Sequence, residues 1–155
     1  MPRSRKKPAP RSPNQAQPPL EFIAPDIDLN IVNLVQLALP LWIRVKTPLT
    51  RVEAKNVEPL IDLYQQFQSG KVRLLLAFRH PSIHDPICMG YLLHHLMPKL
   101  AKQQGTRLKT PTHAHFMYDR GIPLWAGSLV GWIYSKLGGT PIHRGKLDRV
   151  GLRSA

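Results

Sequence analysis

The chain has 155 residues, enough for a single domain, and carries a formal net charge of +13 at pH 7. A charge of that size predicts an anionic partner, for which nucleic acid, phospholipid headgroups and a phosphorylated substrate all qualify. The one cysteine, Cys88, excludes an internal disulfide framework and indicates a reducing compartment. No segment reaches the roughly 18–20 apolar residues of a membrane-spanning helix.

Residues 1–20 are predicted to be a disordered, basic, proline-rich tail. They hold six prolines and five basic residues but no acidic residue. Because so few apolar residues are available there to offset chain entropy, no packed structure is expected. The basic start runs into Pro, Ser, Asn and Gln rather than into an apolar core, so no signal peptide is predicted.

Residues 21–50 are predicted to form an extended lead-in and then an amphipathic helix over 31–45. Two interpretations of this helix stay open. In the first it lies in a membrane interface, with Trp42 at headgroup depth and Arg44 beside anionic lipid. In the second it is an ordinary core helix that Pro40 kinks.

The next segments predict a helix, a strand and a second helix. Apolar periodicity indicates a helix over 51–69, and the continuous apolar run in 71–79 indicates a buried strand. A longer run indicates a helix over 86–104, with Asp85 as its N-cap and a proline in its first turn. His80 is then expected at the carboxyl end of a strand, where ligands bind in open α/β sheets.

The last third of the chain alternates between strand and helix patterns. These patterns predict a strand over 112–118, a helix over 122–137, a strand over 140–144 and a further helix from 146. The order indicates an α/β fold with a mainly parallel sheet flanked by helices. Residues 51–155 would form this domain, after the tail and the lead-in segment.

The histidines supply the candidate catalytic residues. His80 and His84 are four residues apart, but Pro81 pushes His80 out of helical geometry, so this spacing predicts no metal site. Ser82 lacks a G-x-S-x-G elbow, which makes a serine nucleophile a weak alternative. A dyad remains, with His80 as general base and Asp85 accepting a hydrogen bond from its other ring nitrogen. A purely structural role for both residues stays open.

The remaining histidines and the cysteine are predicted to have structural roles. Hydrogen-bonded or surface positions, rather than metal-ligand positions, are expected for His94, His95, His113 and His115. Cys88 lies inside an apolar helical run, which favours a buried structural role over catalysis.

Two sequence blocks carry a resemblance to a known family. Leu76–Pro86 resembles the H-x4-D block of the glycerolipid acyltransferases of the 1-acyl-sn-glycerol-3-phosphate acyltransferase type. Gly138–Arg144 is similar to the second block of that family, roughly G-x-x-F-I-x-R. The resemblance covers about residues 50–155, and two ordered blocks are much more specific than one.

The resemblance implies acyl transfer in phospholipid synthesis. His80 would deprotonate the hydroxyl of a lysophosphatidate-like acceptor, which would attack the thioester of acyl-CoA or acyl carrier protein, while Asp85 orients His80. Arg144 and Gly138 would bind the substrate phosphate, a role that suits the arginine fork. No cofactor or metal is expected beyond the acyl donor as co-substrate. Peripheral association with the cytoplasmic face of an anionic membrane is also expected.

The sequence departs from the family pattern in two respects. Thr140 and Pro141 stand where the second block usually has apolar residues. The third block of the family, of the F-P-E-G-[TS] type, does not follow. We therefore expect this chain to be an incomplete version of the acyltransferase domain, with only the N-terminal part of it.

A non-catalytic basic module that binds an anionic membrane or nucleic acid is the alternative interpretation. Pro2–Lys7 is a basic patch that suits either partner. The apolar segments around Trp42 and Trp125–Trp132 suit lipid better than bases, and no nucleic-acid-binding motif is visible. Membrane lipid is therefore the expected partner of such a module.

Overall fold

The computed structural model describes residues 20–79, 81–145 and 147–154, so residues 1–19 of the tail predicted over 1–20 lie outside it. The described helices are α1 (Leu29–Lys46), α2 (Glu58–Gln68), α3 (Asp85–Tyr91), α4 (Met97–Gln103), α5 (Ile122–Ala126), α6 (Ser128–Lys136) and α7 (Arg149–Ser154). A π-helical turn, Leu92–Leu96, joins α3 to α4, and the described strands are β1 (Phe116–Asp119) and β2 (Gly139–Ile142).

Helix α1 begins where Asp28 caps it. Asp28 Oδ1 accepts the backbone N–H of Asn30 at 2.9 Å, which satisfies one of the amide groups that a helix start leaves unpaired. Residues 20–28, before α1, form neither helix nor strand, and the Asp28 N–H donates to the carbonyl of Lys136 at 3.0 Å. In the described part of the chain, no helix is both long enough and apolar enough to cross a membrane.

Helix α1 continues through Pro40 because another helix satisfies the carbonyl group that proline leaves unpaired. In a regular helix the Gln36 carbonyl would accept the N–H of residue 40, but proline has none. His95 Nε2 lies 2.7 Å from the Gln36 carbonyl oxygen, so its N–H takes the place of the missing donor. The His95 ring also stacks on Tyr91, with ring centroids 5.0 Å apart. This contact ties α1 to the π turn.

The described core lies between α2, the π turn and α4. Its buried members are Val57, Ile61, Tyr64, Leu93, Met97 and Ala101. The Tyr64 hydroxyl donates to the carbonyl of His113 at 2.8 Å and accepts its N–H at 3.0 Å, which holds the segment before β1 against α2. Helix α2 is shorter than predicted, since it begins at Glu58 rather than near residue 51.

The strand predicted over 71–79 is absent from the described residues, and this prediction was wrong. The segment keeps the side-chain alternation of a strand: Leu74 and Leu76 pack against the core, while Leu75 between them is 83% exposed. However, residues 72–77 make no backbone hydrogen bond to any described segment. Apolar alternation selects an extended backbone, but a β-strand also requires a neighbouring strand for its ladder.

The helix predicted over 86–104 forms as a continuous helical segment from α3 to α4. Pro86 lies in its first turn, as predicted. The π turn widens the middle of the segment, where the N–H of Met97 donates to the carbonyl of Leu92, five residues back. Pro98, which follows, cannot donate to the carbonyl of His94, and the wider turn accommodates that missing bond.

The sheet consists of two described strands, β1 and β2, which pair in parallel with Phe116 opposite Gly139 and Asp119 opposite Ile142. Both strands fall within one to four residues of their predicted ends. The helix predicted over 122–137 is instead two helices, α5 and α6, which form the crossover and separate at Gly127. Gly127 has φ +97° and ψ 155°, a backbone conformation nearly restricted to glycine. The architecture is mixed helix and small parallel sheet, which agrees with an α/β class in general.

Candidate functional site

The predicted base, His80, lies outside the described residues. Its partner in the predicted dyad, Asp85, is the first residue of α3 rather than its N-cap, which corrects the prediction by one position. The Asp85 carboxylate does not bond the helix amide groups: Oδ2 accepts the backbone N–H of Ser82 at 2.8 Å. Asp85 therefore closes the turn between His80 and α3, while its Oδ1 accepts no hydrogen bond from the described residues.

The turn before α3 also uses the Ser82 side chain. Ser82 Oγ accepts the backbone N–H of His84 at 3.2 Å, and the carbonyl of Ser82 accepts the N–H of Asp85 at 3.2 Å. No histidine or other basic side chain among the described residues bonds Ser82 Oγ. The hydroxyl has the position of a turn-forming residue, and the serine nucleophile stays the weak alternative that the sequence predicted.

Asp85 borders a cavity of about 230 Å³ between α3, the π turn and residues 52–54. Its wall is mainly apolar, with charged side chains at Glu53, Arg79 and Asp85. The remaining lining residues are Val52, Ala54, Cys88, Met89, Leu92 and Leu96. A carboxylate at the edge of an apolar cavity is an arrangement that suits an amphipathic ligand.

Cys88 lines the same cavity but is not activated. Burial raises the pKa of the Cys88 thiol, and the nearby Asp85 carboxylate raises it further. A thiol with a raised pKa carries little thiolate near neutral pH, so it is a poor nucleophile. Cys88 was predicted to be buried, whereas its side chain is only partly buried.

Arg144, a predicted phosphate ligand, follows β2 at the carboxyl edge of the sheet. Its Nε lies 3.2 Å from Asp119 Oδ2, where β1 ends on the neighbouring strand. The Arg144 side chain is 70% exposed, so its guanidinium remains accessible to a ligand. Arg144 therefore has the chemistry and the accessibility that the prediction requires.

Gly138, the other predicted phosphate ligand, lies at the opposite end of β2 from Arg144. The two residues are six positions apart in the sequence, a distance of up to about 20 Å along an extended chain. Gly138 has φ +80°, and a side chain there would come within 3.1 Å of the His115 ring. Its backbone conformation and this close approach account for glycine at this position. The structure does not bring Gly138 and Arg144 together.

Asp85 and Arg144 belong to elements with different packing neighbours. Helix α3 packs against α1 and the π turn, whereas β2 packs mainly against β1, α6 and α7. No hydrogen bond or ion pair between described residues joins the two side chains. The predicted catalytic and phosphate-binding positions thus lie on differently packed parts of the molecule.

A buried ion pair at the carboxyl edge of the sheet was not predicted. Arg120, which follows β1, pairs with Asp148, which precedes α7, and their side chains are 12% and 9% exposed. The hydrogen bond from the backbone N–H of Gly151 is the largest cause that lowers the pKa of Asp148. The N–H of His143 and the charge of Arg120 lower it further, while burial acts in the opposite direction. An aspartate just before a helical segment is the sequence signal that could have indicated this capping role.

A polar cluster beside the π turn was also missed. Gln36 Nε2 donates to the carbonyl of Thr112 at 3.0 Å, and His94 Nδ1 bonds the same carbonyl oxygen. Burial is the main cause that lowers the pKa of His94. His94 and His95 are both hydrogen-bonded, which is one of the two kinds of position predicted for them. No local signal identified the cluster, because its members come from three distant parts of the sequence.

The described residues include no group of three or more His, Cys, Asp or Glu side chains that could hold a metal ion. Comparison of the chain with protein-family models, with curated proteins and with solved structures finds no match in any of the three. The acyltransferase resemblance of the two sequence blocks therefore stays a prediction.

Proposed function

We propose that this chain belongs to the acyltransferases of phospholipid synthesis and moves a fatty acyl group from acyl-CoA or acyl carrier protein to a lysophosphatidate-like acceptor. The observation that best supports the proposal is the position of Asp85 at the edge of a mainly apolar cavity. One Asp85 oxygen is anchored by the Ser82 N–H, and the other accepts no hydrogen bond from the described residues. An anchored carboxylate with one oxygen available is what an orienting partner for an imidazole requires.

The proposed reaction needs no protein nucleophile. His80 takes the proton from the acceptor hydroxyl as its oxygen attacks the thioester carbonyl carbon. The tetrahedral intermediate then breaks its C–S bond, and the leaving thiolate takes the proton back from His80. Asp85 stabilises the imidazolium between these two proton transfers.

The proposed phosphate contact rests on Arg144. A phosphate would have to compete with Asp119, whose Oδ2 lies 3.2 Å from Arg144 Nε. A doubly charged phosphate can accept bidentate bonds from the exposed guanidinium, which favours the exchange. The role of Gly138 would be indirect, through the backbone conformation at the start of β2.

Peripheral association with the cytoplasmic face of an anionic membrane is part of the proposal. Helix α1 exposes Leu34, Leu37 and Leu41, which share one helical face by their spacing. Arg44 and Lys46 follow in the last turn, and Arg44 lies on the side of this apolar face by its spacing of seven from Leu37. Apolar side chains flanked by cations are typical of helices that lie in a membrane interface.

The experiment that tests the enzyme proposal measures labelled diacyl product formed from acyl-CoA and lysophosphatidate. We expect activity from the natural chain and a loss of at least about 100-fold in His80→Ala. Asp85→Asn should also lose most activity, since it removes the charge that stabilises the imidazolium. His84→Ala is the matched control, with the same residue type in the same turn, and should keep its activity.

The second candidate function, a non-catalytic basic module that binds an anionic membrane, is favoured by the exposed apolar face of α1. It predicts vesicle binding without product formation. If the natural chain forms no product, or if His80→Ala is as active as the natural chain, the enzyme proposal fails. A nucleic-acid shift that disappears at moderate salt would indicate only nonspecific charge binding.

A further inference from the structure

A second cavity, of about 240 Å³, lies on another face of the helical segment that borders the Asp85 cavity. It is enclosed by α1, by the π turn with the start of α4, and by the loop before β1. Its lining residues are Asn33, Gln36, His94, Pro98, Thr110, Pro111 and Thr112. None of them lines the Asp85 cavity, so the proposed acyl transfer does not account for this site.

Some polar groups of the cavity form hydrogen bonds between the segments that line it. The carbonyl of Thr112 accepts Gln36 Nε2–H at 3.0 Å and bonds His94 Nδ1, and the Thr112 hydroxyl donates to the Leu93 carbonyl at 2.5 Å. The Thr112 carbonyl oxygen can only accept, so its contact with His94 Nδ1 requires the ring proton on Nδ1. Gln36 Nε2 lies 2.8 Å from the same nitrogen and can only donate, so that contact requires the proton on Nε2. His94 Nε2 is therefore an acceptor in one tautomer and a donor in the other.

Other polar groups of the cavity have no hydrogen-bond partner among the described residues. These are His94 Nε2, Gln36 Oε1, the Asn33 amide and the Thr110 hydroxyl. None of them is a buried unsatisfied atom, so all are accessible to a ligand. Together they present the Gln36 acceptor, an imidazole nitrogen that accepts or donates according to the His94 tautomer, and two groups that can both donate and accept.

The character of these groups selects one class of ligand. No lining residue is an acid, a lysine or an arginine, so the cavity offers no counter-charge to a phosphate or an ammonium group. An apolar ligand would leave its polar groups without partners, which costs binding free energy. A hydroxyl group both donates and accepts, and therefore matches this mixed set.

We infer that this cavity binds the hydroxyl groups of a neutral polyol, such as a glycerol or sugar moiety. Two sources of that chemistry fit the structure: a free polyol, and the polyol headgroup of a lipid. Asn33 and Gln36 alternate along α1 with Leu34 and Leu37, which are exposed. A polyol headgroup could therefore enter the cavity while neighbouring leucines contact the bilayer. This inference does not depend on the acyl-transfer proposal.

The test compares two anionic vesicle types in the same phosphatidylcholine background, with phosphatidylglycerol or phosphatidylserine as the anionic lipid. Both lipids carry one negative charge, but only the first ends in glycerol hydroxyls. A second arm titrates the full chain with myo-inositol, a free polyol, and follows the His94 ring and Asn33 amide signals by NMR. Neither arm contains an acyl donor.

The variants are Asn33→Ala and Thr110→Val, both at exposed positions whose side chains make no hydrogen bond to described residues. Asn30→Ala is the matched control, since Asn30 is an exposed asparagine of α1 that does not line the cavity. Circular dichroism of each variant checks that the fold is unchanged. Loss of one hydrogen bond should weaken polyol binding about fivefold.

If the ligand is a lipid headgroup, we expect the natural chain to bind phosphatidylglycerol vesicles more tightly than phosphatidylserine vesicles. Asn33→Ala and Thr110→Val should reduce this preference, and Asn30→Ala should keep it. For a free polyol, we expect saturable myo-inositol shifts that the first two variants weaken, without a vesicle preference. The inference is overturned if neither vesicle preference nor myo-inositol binding is observed. It is equally overturned if both cavity variants leave the observed binding unchanged.

Discussion

Pro40 and His95 are 55 positions apart in the sequence, yet the two residues depend on one another. Pro40 leaves the Gln36 carbonyl without its helical donor, and His95 Nε2 bonds that oxygen at 2.7 Å. The histidine therefore does more than fill space between α1 and the π turn. It supplies the hydrogen bond that lets α1 keep a proline in its interior.

We predict that His95→Phe lowers the free energy of unfolding by about 1 kcal/mol, because it leaves the Gln36 carbonyl unpaired while keeping an aromatic ring beside Tyr91. In a Pro40→Ala background the new N–H of residue 40 can bond Gln36, so His95→Phe should cost little. Urea unfolding of the four chains measures this coupling. Equal costs in the two backgrounds would contradict it.

His94 provides a pH-dependent contribution to stability. Burial lowers the pKa of His94 below its ordinary 6.5; the Thr112 hydrogen bond opposes the shift, and the charges of His95 and His113 add to it. Because the folded pKa lies below the unfolded one, the unfolded chain binds more protons as the pH falls below 6.5. The stability that neutral His94 contributes is therefore complete above that pH and is lost as the pH falls through the folded pKa.

We predict that His94→Asn reduces the loss of stability on acidification from about pH 8 to about pH 5. Asparagine can still donate to the Thr112 carbonyl but does not titrate. The difference in the free energy of unfolding at the higher pH measures the structural cost of the substitution. The change in the slope of that free energy against pH measures the titration of His94. An unchanged slope in urea-unfolding experiments would show that His94 does not titrate differently in the two states.

At the scale of secondary structure, Gly127 decides how the crossover from β1 to β2 is built. The apolar pattern over 122–137 is continuous, and it predicted one helix where the chain forms α5 and α6. Gly127 has φ +97° and ψ 155°, so the break lies at the residue that can adopt this conformation at little cost. Periodicity reports which faces are apolar, but it does not show that a glycine will leave the helical region.

We predict that Gly127→Ala destabilises the fold by about 1–3 kcal/mol, entirely through backbone strain, since no atom lies within 4 Å of the added methyl group. Gly90→Ala is the matched control. Its φ is ordinary for a helix, and its methyl group would lie 3.8 Å from Leu39, an ordinary contact. That substitution should be neutral or stabilise by about 0.5–1 kcal/mol. Equal effects in thermal unfolding would refute the conformational explanation.

At the scale of the whole molecule, exposed apolar side chains are concentrated on α1 and on the α5–α6 crossover. Leu37 is 79% exposed on α1, and Trp125 is 78% exposed on α5. Helices α1 and α6 pack against each other, so the two apolar regions belong to neighbouring elements. With the net charge of +13, this distribution favours attraction to an anionic bilayer.

We predict that Leu37→Ser combined with Leu41→Ser weakens binding to anionic vesicles at least about tenfold, because each leucine contributes apolar area to the interface. Leu75→Ser is the control: Leu75 is 83% exposed but lies outside α1, and its loss should leave binding unchanged. Vesicle sedimentation measures both. Binding of the double variant that equals that of the natural chain would exclude α1 as the contact.

The sequence by itself determined the local features. It predicted the helix at 86–104 with its proline start, the strands that pair as β1 and β2, the general α/β class, and hydrogen-bonded or surface positions for His94 and His95. These follow from periodicity, proline geometry and side-chain chemistry, which act over a few residues. The candidate residues Asp85 and Arg144 were likewise chosen from local blocks.

Only the tertiary structure decided which residues meet. Residues 71–79 have the apolar alternation of a strand, yet no described segment pairs with 72–77, because ladder formation depends on a neighbour that local sequence does not specify. The different packing neighbours of the elements that carry Asp85 and Arg144, and the cluster of Gln36 with His94, are set by the packing of distant elements. Contacts between residues far apart in the chain depend on the whole fold, so the pattern of any one segment could not reveal them.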